Sequence, residues 1–283
     1  MEKIVGVIGG SGLYEIEGLT TVEEVRVDTP FGDASDAYIC GVLNDVKLCF
    51  LPRHGKGHRF TPTEVNYRAN IYGMKKLGVT KIISIGAVGS MKEDIKPGDM
   101  VIVDQFIDLT KKRESSFFEN GVVGHISFAE PICSSLAEVV YNAAVSVGAR
   151  THKGGTYICI EGPQFSSKAE SYLYRSFGVD VIGMTNATEA KLAKEAGICY
   201  STVALSTDYD CWHISEESVS VGAVLAILSQ NIKTAKKIIV EAVKNIAKAG
   251  KCSCSKAAEN AILTDLNTIP QDVKEKLKII LGK

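Results

Sequence analysis

The chain has 283 residues, with 45% hydrophobic and 23% charged residues and a formal net charge of -1. That composition excludes a disordered chain, and the near-neutral balance leaves no electrostatic footprint for nucleic acid or an anionic membrane. No charged n-region precedes an apolar h-region and no apolar run reaches transmembrane length, so a cytoplasmic protein is expected.

A strand is predicted over 3–8, ending in Gly9-Gly10-Ser11-Gly12. Short antiparallel strands follow over 24–27, 36–42 and 46–51, separated by turn signals at Pro30-Phe31-Gly32 and Leu43-Asn44-Asp45. Arg53-His54-Gly55-Lys56-Gly57-His58 reads as a basic, glycine-rich loop. A helix over 64–77 stops at Gly78, and a buried strand over 82–85 leads into Gly86-Ala87-Val88-Gly89-Ser90. A strand over 100–103 precedes a long polar segment, 110–124, expected to cover a site or meet another subunit. Helices over 135–148, 167–177 and 188–196 alternate with strands over 155–160, 179–183 and 198–205. The remainder is helical: one long helix over 221–249, then two short pieces separated by Pro270. No linker divides the chain, which reads as one α/β domain with a mixed sheet and helices packed around it.

Eight cysteines, Cys40, Cys49, Cys133, Cys159, Cys199, Cys211, Cys252 and Cys254, are scattered along the chain. No C-x-x-C pair recurs and no histidine stands at finger spacing, so no zinc site is predicted. Most are read as small buried apolar residues. Cys252-Ser253-Cys254 lies in a polar stretch, where it either closes a small disulfide or stays as two thiols.

Strand ends carry the chemistry. Glycines let backbone N–H groups approach an anion, and Ser11 adds a hydroxyl. The dinucleotide fingerprint G-x-G-x-x-G fails at Glu15, and no nucleoside-triphosphate loop is present. Arg53 is a fork of donors suited to phosphate, and His54 can share the same oxyanion. His58, His152 and His213 read as exposed or structural. Phe165 either stacks on a flat heterocycle or packs, and Met184-Thr185 suits a sugar beside an anion. Asp208 and Asp210 end the last strand, either as turn residues or as a pair of acids facing a nitrogen-rich ligand. Anion donors early and carboxyls late fit a site that brings phosphate to one face of a nucleoside and acids to its base.

The runs Ile8-Gly9-Gly10-Ser11-Gly12-Leu13, Pro52-Arg53-His54-Gly55, Asn66-Tyr67-Arg68-Ala69-Asn70-Ile71, Asp104-Gln105-Phe106-Ile107-Asp108, Glu161-Gly162-Pro163-Gln164-Phe165-Ser166-Ser167 and Thr207-Asp208-Tyr209-Asp210-Cys211-Trp212 resemble the trimeric purine nucleoside phosphorylase family, in particular its methylthioadenosine-cleaving branch. The resemblance runs from Gly6 to about Val240. It implies a single-domain phosphorylase/hydrolase-like fold over 1–283, with 251–283 as a helical extension carrying the C-x-C. It also implies a pentosyl transfer: phosphorolysis of 5′-methylthioadenosine to adenine and 5-methylthioribose 1-phosphate, with phosphate as co-substrate and no metal or organic cofactor.

By the same resemblance, Ser11, Arg53, His54 and Thr185 hold phosphate, with Gly86 and Ala87 contributing backbone. Met184 lies against the ribose and Phe165 near the base. Asp208 shares or delivers the proton at N7 of adenine, and Asp210 accepts from the 6-amino group. Ser166 and Val221 match positions tied to substrate choice. His125 borders the methylthio group with Val221, reaching in from a neighbouring subunit of a homotrimer or a hexamer of two trimers. Nucleic acid and membrane are not implied as partners. The C-x-C tail resembles archaeal members, in which Cys133 and Cys199 match a bridged pair, so disulfides are expected among Cys133, Cys199, Cys252 and Cys254.

Three departures bear on substrate breadth: Ile85-Gly86 replaces small polar residues, Gln164 an arginine, and Asn186-Ala187-Thr188-Glu189 lacks a proline. A 6-oxopurine phosphorylase, for inosine, guanosine or methylthioinosine, would want a donor where Asp210 offers an acceptor. A non-catalytic nucleoside-binding protein would have no need of Ser11, Arg53 and Thr185.

Overall fold

The computed structural model describes residues 4–10, 12–213 and 221–282, without the side chains of 221–224 and 226. One 11-stranded mixed sheet organises the chain, flanked by helices. At its centre β1 (Ile4–Gly9) lies parallel to β4 (Val46–Pro52) on one side and to β5 (Lys81–Ser90) on the other. Both neighbours and both faces are covered, which is why these strands read as continuous apolar runs. β2 (Thr20–Val25) and β3 (Tyr38–Leu43) complete an antiparallel meander with β4, as their turn signals predict.

β5 is the branch point. Its first half pairs with β1, its last two residues pair with β10 (Val181–Gly183), and β11 (Cys199–Asp208) runs beside it throughout. β10 continues through β9 (Thr156–Cys159) to β7 (Gln105–Asp108), whereas β11 continues through β6 (Met100–Ile102) to β8 (Thr151–Lys153). Between Ser84, the last β5 residue paired with β1, and Gly89, where β10 begins, one edge of β5 has no strand partner among the described residues. That gap faces the carboxyl ends of β1 and β4, the usual place for a ligand in a parallel sheet.

The boundaries differ from the sequence reading where a cap or a neighbour decides them. Helix α1 (Tyr67–Lys76) starts three residues later than expected, because the Asn66 side chain caps it by accepting the Ala69 N–H at 3.1 Å. Helix α4 (Asn186–Glu195) starts earlier, which makes Thr185 its N-cap. The glycines after Ile85 continue β5 rather than forming a loop, since β11 supplies the missing hydrogen bonds. The short strands β7 and β8 escaped prediction because they have no apolar alternation of their own. Before Pro270 the chain makes only a 3-10 turn at Cys254–Lys256, and one helix, α6 (Gln271–Leu281), follows.

Helices α2 (Ser134–Ser146) and α5 (Val221–Asn245) pack together on one face, burying Leu136, Val140, Ile238, Ile239 and Val243 with Val203 of β11. The other face is covered by α1, α4 and α6. No helix among the described residues is long and apolar enough to cross a membrane. Leu136 is 0% exposed at the centre of the α2–α5 contact. Leu136→Ala is therefore expected to cost about 2–5 kcal/mol of unfolding free energy, read as a lowered urea midpoint with unchanged m.

Candidate active site

Arg53 leaves the end of β4 and turns into the gap beside β5. It is buried and forms an ion pair with the equally buried Glu189 of α4 through Nε. Nη2 donates to Glu189 Oε2 at 3.0 Å and to Ser84 Oγ at 2.7 Å, and Nη1 donates to the Ile85 carbonyl at 3.1 Å. These four bonds engage four of the five guanidinium N–H groups, leaving one N–H on Nη1, the atom that lies beside Gly86. Burial works against the charge, but Glu189 more than compensates and holds the guanidinium protonated.

A second ring of bonds supports this pair. Tyr200 donates its hydroxyl to Glu189 Oε2 at 2.9 Å, and the Asn186 amide donates to Ser84, Tyr200 and Thr202. Ser84, Asn186, Glu189 and Tyr200 were not foreseen as supports. Their signal was faint: polar residues interrupting strands that are otherwise apolar. Thr185 stands at the N-terminus of α4, buried, and its hydroxyl makes no capping bond to the helix. The helix N-terminus, the free Nη1–H and the unpaired edge of β5 therefore converge. By the two-residue alternation of a strand, the Ala87 N–H points to the same open edge as the Ile85 carbonyl. An anion fits there.

His54 differs from its expected role. Its Nδ1 lies 2.8 Å from the Phe60 carbonyl, which only accepts, so Nδ1 carries the proton. Burial first, then the Arg53 charge, push its pKa down to about 4. At neutral pH the imidazole is uncharged and Nε2 is an acceptor, able to take a hydrogen bond from a protonated phosphate oxygen but not to donate one. His58 stacks on it at 4.3 Å, and His152 and His213 pair with Asp99 and Glu93, as structural histidines do.

The acids stand at the far end of the same strand pair. β11 slips register against β5 between Ser206 and Asp208, which brings Asp208 opposite Gly89. A Cβ on Gly89 would lie 3.0 Å from Asp208 Oδ1 and from Ile182, so a larger residue there would crowd the carboxyl that rests over the β5 backbone. Thr207 Oγ1 donates to Asp208 Oδ2 at 2.7 Å, and the Asp210 N–H donates to Oδ1 at 2.8 Å. Burial raises the Asp208 pKa despite these donors, and the Asp210 charge adds to the rise. Asp210 is buried with φ of 52°, a left-handed conformation that Asp tolerates. Burial raises its pKa too, opposed by the neighbouring Ser171 and Ser166 hydroxyls and the Cys211 N–H. Trp212 pins the turn: its indole N–H donates to the Ser90 carbonyl at 2.8 Å, and Arg175 lies 3.5 Å over its ring.

Between the two ends, Met184 is held by Arg113, whose Nη1 donates to its carbonyl at 3.0 Å. Arg113 also grips Glu161 through Nε at 2.9 Å and the Tyr67 hydroxyl at 2.7 Å. Burial raises the Glu161 pKa, but Thr63, Lys111, Arg113 and Lys112 together bring it down to about 2. This knot and the Glu195 carboxylate, which accepts from Ser116 and the Phe117 N–H, fasten the polar 110–124 segment to the core. Phe165 and Ser166 border a cavity of about 720 Å³ lined also by Leu109, Glu161 and Leu173. Phe165 is half exposed.

Of the other expected site residues, His125 is exposed and is not brought to this cluster by its own chain. Ser11 and the side chain of Val221 lie outside the described residues. The expected disulfides are not formed: Cys133, Cys199, Cys252 and Cys254 are free thiols. Their sulfurs approach as a group of four instead of as bonded pairs. The disulfide in the structure joins Cys40 and Cys49, opposite each other on β3 and β4.

A raised carboxyl pKa means the folded chain binds a proton more tightly than the unfolded one, so its contribution to stability is lost as pH rises. Asp208→Asn is therefore expected to raise the melting temperature at pH 7 and to leave it unchanged near pH 3, where both side chains are neutral. A variant less stable than the parent at both pH values would contradict this assignment.

Comparison with known proteins agrees with this geometry. The Phosphorylase superfamily profile matches residues 4–244. An S-methyl-5′-thioadenosine phosphorylase of Geobacter sulfurreducens is 60% identical, covering 100% of this chain and 99% of its own length. One from Thermofilum pendens is 46% identical, covering 93% of this chain and 100% of its own. Among solved structures, a methylthioadenosine phosphorylase from an antarctic soil metagenomic library superposes with a TM-score of 0.95 at 46% identity, covering 99% of each chain. A methylthioadenosine phosphorylase from Schistosoma mansoni in complex with adenine gives 0.84 at 35% identity, covering 96% of this chain and 100% of its own. By sequence and by fold, the chain belongs to the phosphorylase superfamily.

Proposed function

We infer that this chain catalyses the reversible phosphorolysis of 5′-methylthioadenosine to adenine and 5-methylthio-α-D-ribose 1-phosphate. The observation that carries the reading is the division of β5. Arg53 meets the strand at Gly86 and Asp208 meets it at Gly89, three residues or about 10 Å apart at strand rise. That separation leaves room for a ribose between an anion at one end and a purine at the other.

The roles follow from the charges. Phosphate sits between the free Arg53 N–H, Thr185, the Ala87 N–H and the N-terminus of α4, with Ser11 joining them. It attacks C1′ of the ribose while the glycosidic bond breaks. The ribose gains oxocarbenium character, which the adjacent phosphate stabilises electrostatically. The departing adenine gains electron density, and Asp208, disposed by burial to hold a proton, shares that proton with N7. Asp210 accepts from the 6-amino group, and Met184 and Phe165 enclose ribose and base. Phosphate is the co-substrate, and the reaction needs no other cofactor. Chain 1–283 works as one nucleoside phosphorylase domain in the cytoplasm, with Ser166, Val221 and a neighbour's His125 setting the 5′ preference.

The apolar side chains Phe165, Tyr172, Leu173 and Phe177 are each about half exposed, and Phe165 and Leu173 line the cavity. A second copy of the chain is the natural cover for such a patch next to the base site. The working form is thus a homotrimer, alone or paired into a hexamer.

Free base is expected from methylthioadenosine only when phosphate is present, and less from inosine. Release without phosphate would identify a hydrolase. Asp208→Asn should lower kcat by ~10²–10⁴-fold, and Asp210→Asn should shift preference from adenine toward 6-oxopurine nucleosides. Unchanged selectivity in the second variant would remove Asp210 from the base site. For assembly, sedimentation of the parent should give three or six copies, and Leu173→Glu should shift the mass toward the monomer. A monomeric parent with full activity would contradict the shared site.

A further inference from the structure

The fold gathers four sulfurs that the sequence scatters. Cys133 is the N-cap of α2, Cys199 is the first residue of β11, and Cys252 and Cys254 come from the segment after α5. All four Sγ atoms lie within 4.8 Å of one another, and Cys199 and Cys252 approach to 3.3 Å. Cys133, Cys199 and Cys254 are buried, and Cys252 is exposed. The backbone holds the set in place. The Cys133 N–H donates to the Tyr200 carbonyl at 2.9 Å, next to Cys199, whose own N–H donates to Thr80 at 3.0 Å. Ser135 Oγ donates to the Lys251 carbonyl at 3.4 Å, seating the C-x-C against α2.

Bonded sulfurs stand ~2.05 Å apart, so the 3.3 Å approach is not a bond. A tetrahedral zinc tetrathiolate, with Zn–S near 2.3 Å, sets its sulfurs ~3.8 Å apart, inside the span found here. Among the described residues, no carboxylate or imidazole belongs to the group. An all-thiolate set selects soft or borderline metals over magnesium or calcium. Four protein ligands leave no open coordination position, which marks a structural site. The sulfurs lie at the opposite end of the ten-residue β11 from Asp208, about 30 Å away at strand rise.

We propose that Cys133, Cys199, Cys252 and Cys254 form a closed tetrathiolate Zn²⁺ site that fastens the C-terminal segment to the core. Each ligating thiol gives its proton to solvent as the Zn–S bond forms, and no redox step is involved. The exposed Cys252 provides the entry path. The fastened segment is the one that meets the backbone around His125: the His125 N–H donates to the Ala261 carbonyl at 2.8 Å, and Gly124 bridges to Ile262. The site thereby also holds the backbone that carries His125.

The test uses the full chain without an affinity tag, produced with zinc and purified under reductant. Elemental analysis is expected to find about one zinc per chain. Exchange for cobalt(II) should give the thiolate charge-transfer band and the visible bands of a tetrahedral site. Cys252→Ser/Cys254→Ser should lose the metal, melt several degrees lower and still release adenine. Chelation of the parent should reproduce that loss, and zinc should reverse it. Four titratable thiols with no metal after reconstitution, two disulfides under the same conditions, or full zinc retention in the double variant would each overturn the proposal.

Discussion

The buried pair of Arg53 and Glu189 is the interaction on which the rest of the site depends. Two charges removed from water are costly, and such a pair persists when further hydrogen bonds satisfy its remaining donors and acceptors. Here Ser84, Ile85 and Tyr200 supply them, leaving one Arg53 N–H, and Asn186 in turn donates to Ser84 and Tyr200. The network ties β4, β5, β11 and α4 together at one point. Because Glu189 holds most of the guanidinium, Arg53 is a fixed donor and not a swinging one. Its remaining N–H is aimed before any ligand arrives, the preorganisation that makes electrostatic stabilisation effective.

The other end of β5 uses the opposite device. Asp208 is half-buried and Asp210 buried, and although hydroxyl and backbone donors oppose it, desolvation raises both pKa values. Such a carboxyl is a poor stabiliser of the fold at neutral pH, and the proposed proton transfer to the departing base draws on that same tendency to hold a proton. Placing it over Gly89 keeps it close to the strand, and Trp212 keeps the turn from relaxing outward. Stability is conceded at one end of β5 and recovered in the α2–α5 core and the Glu161–Arg113 knot.

The cysteine group acts at the far end of β11. Four thiols converge where α2, β11 and the C-terminal segment meet, and they add a polar anchor to a segment that α6 docks through Val273, Leu277 and Ile280. The same segment reaches the 122–125 backbone, so β11 joins the candidate site at its carboxyl end to the cysteine group at its amino end.

Much of this was legible in the residues. Continuous apolar runs marked β1, β4, β5 and β11 because both faces of a parallel sheet are buried. The recurrence of chemistry at strand ends located Arg53, Thr185, Met184, Asp208 and Asp210. Local pattern could not say that Glu189, Ser84 and Tyr200 surround Arg53, because a contact across 136 residues leaves no periodic trace. Nor could it say that His54 points its proton at Phe60, that β5 runs through its glycines, or that four cysteines with no metal-ligand spacing share one point. Residue type and periodicity determine which groups are available and which face they occupy. Only the tertiary structure decides which of them meet, since that depends on strand order and on the neighbour each buried polar atom must find.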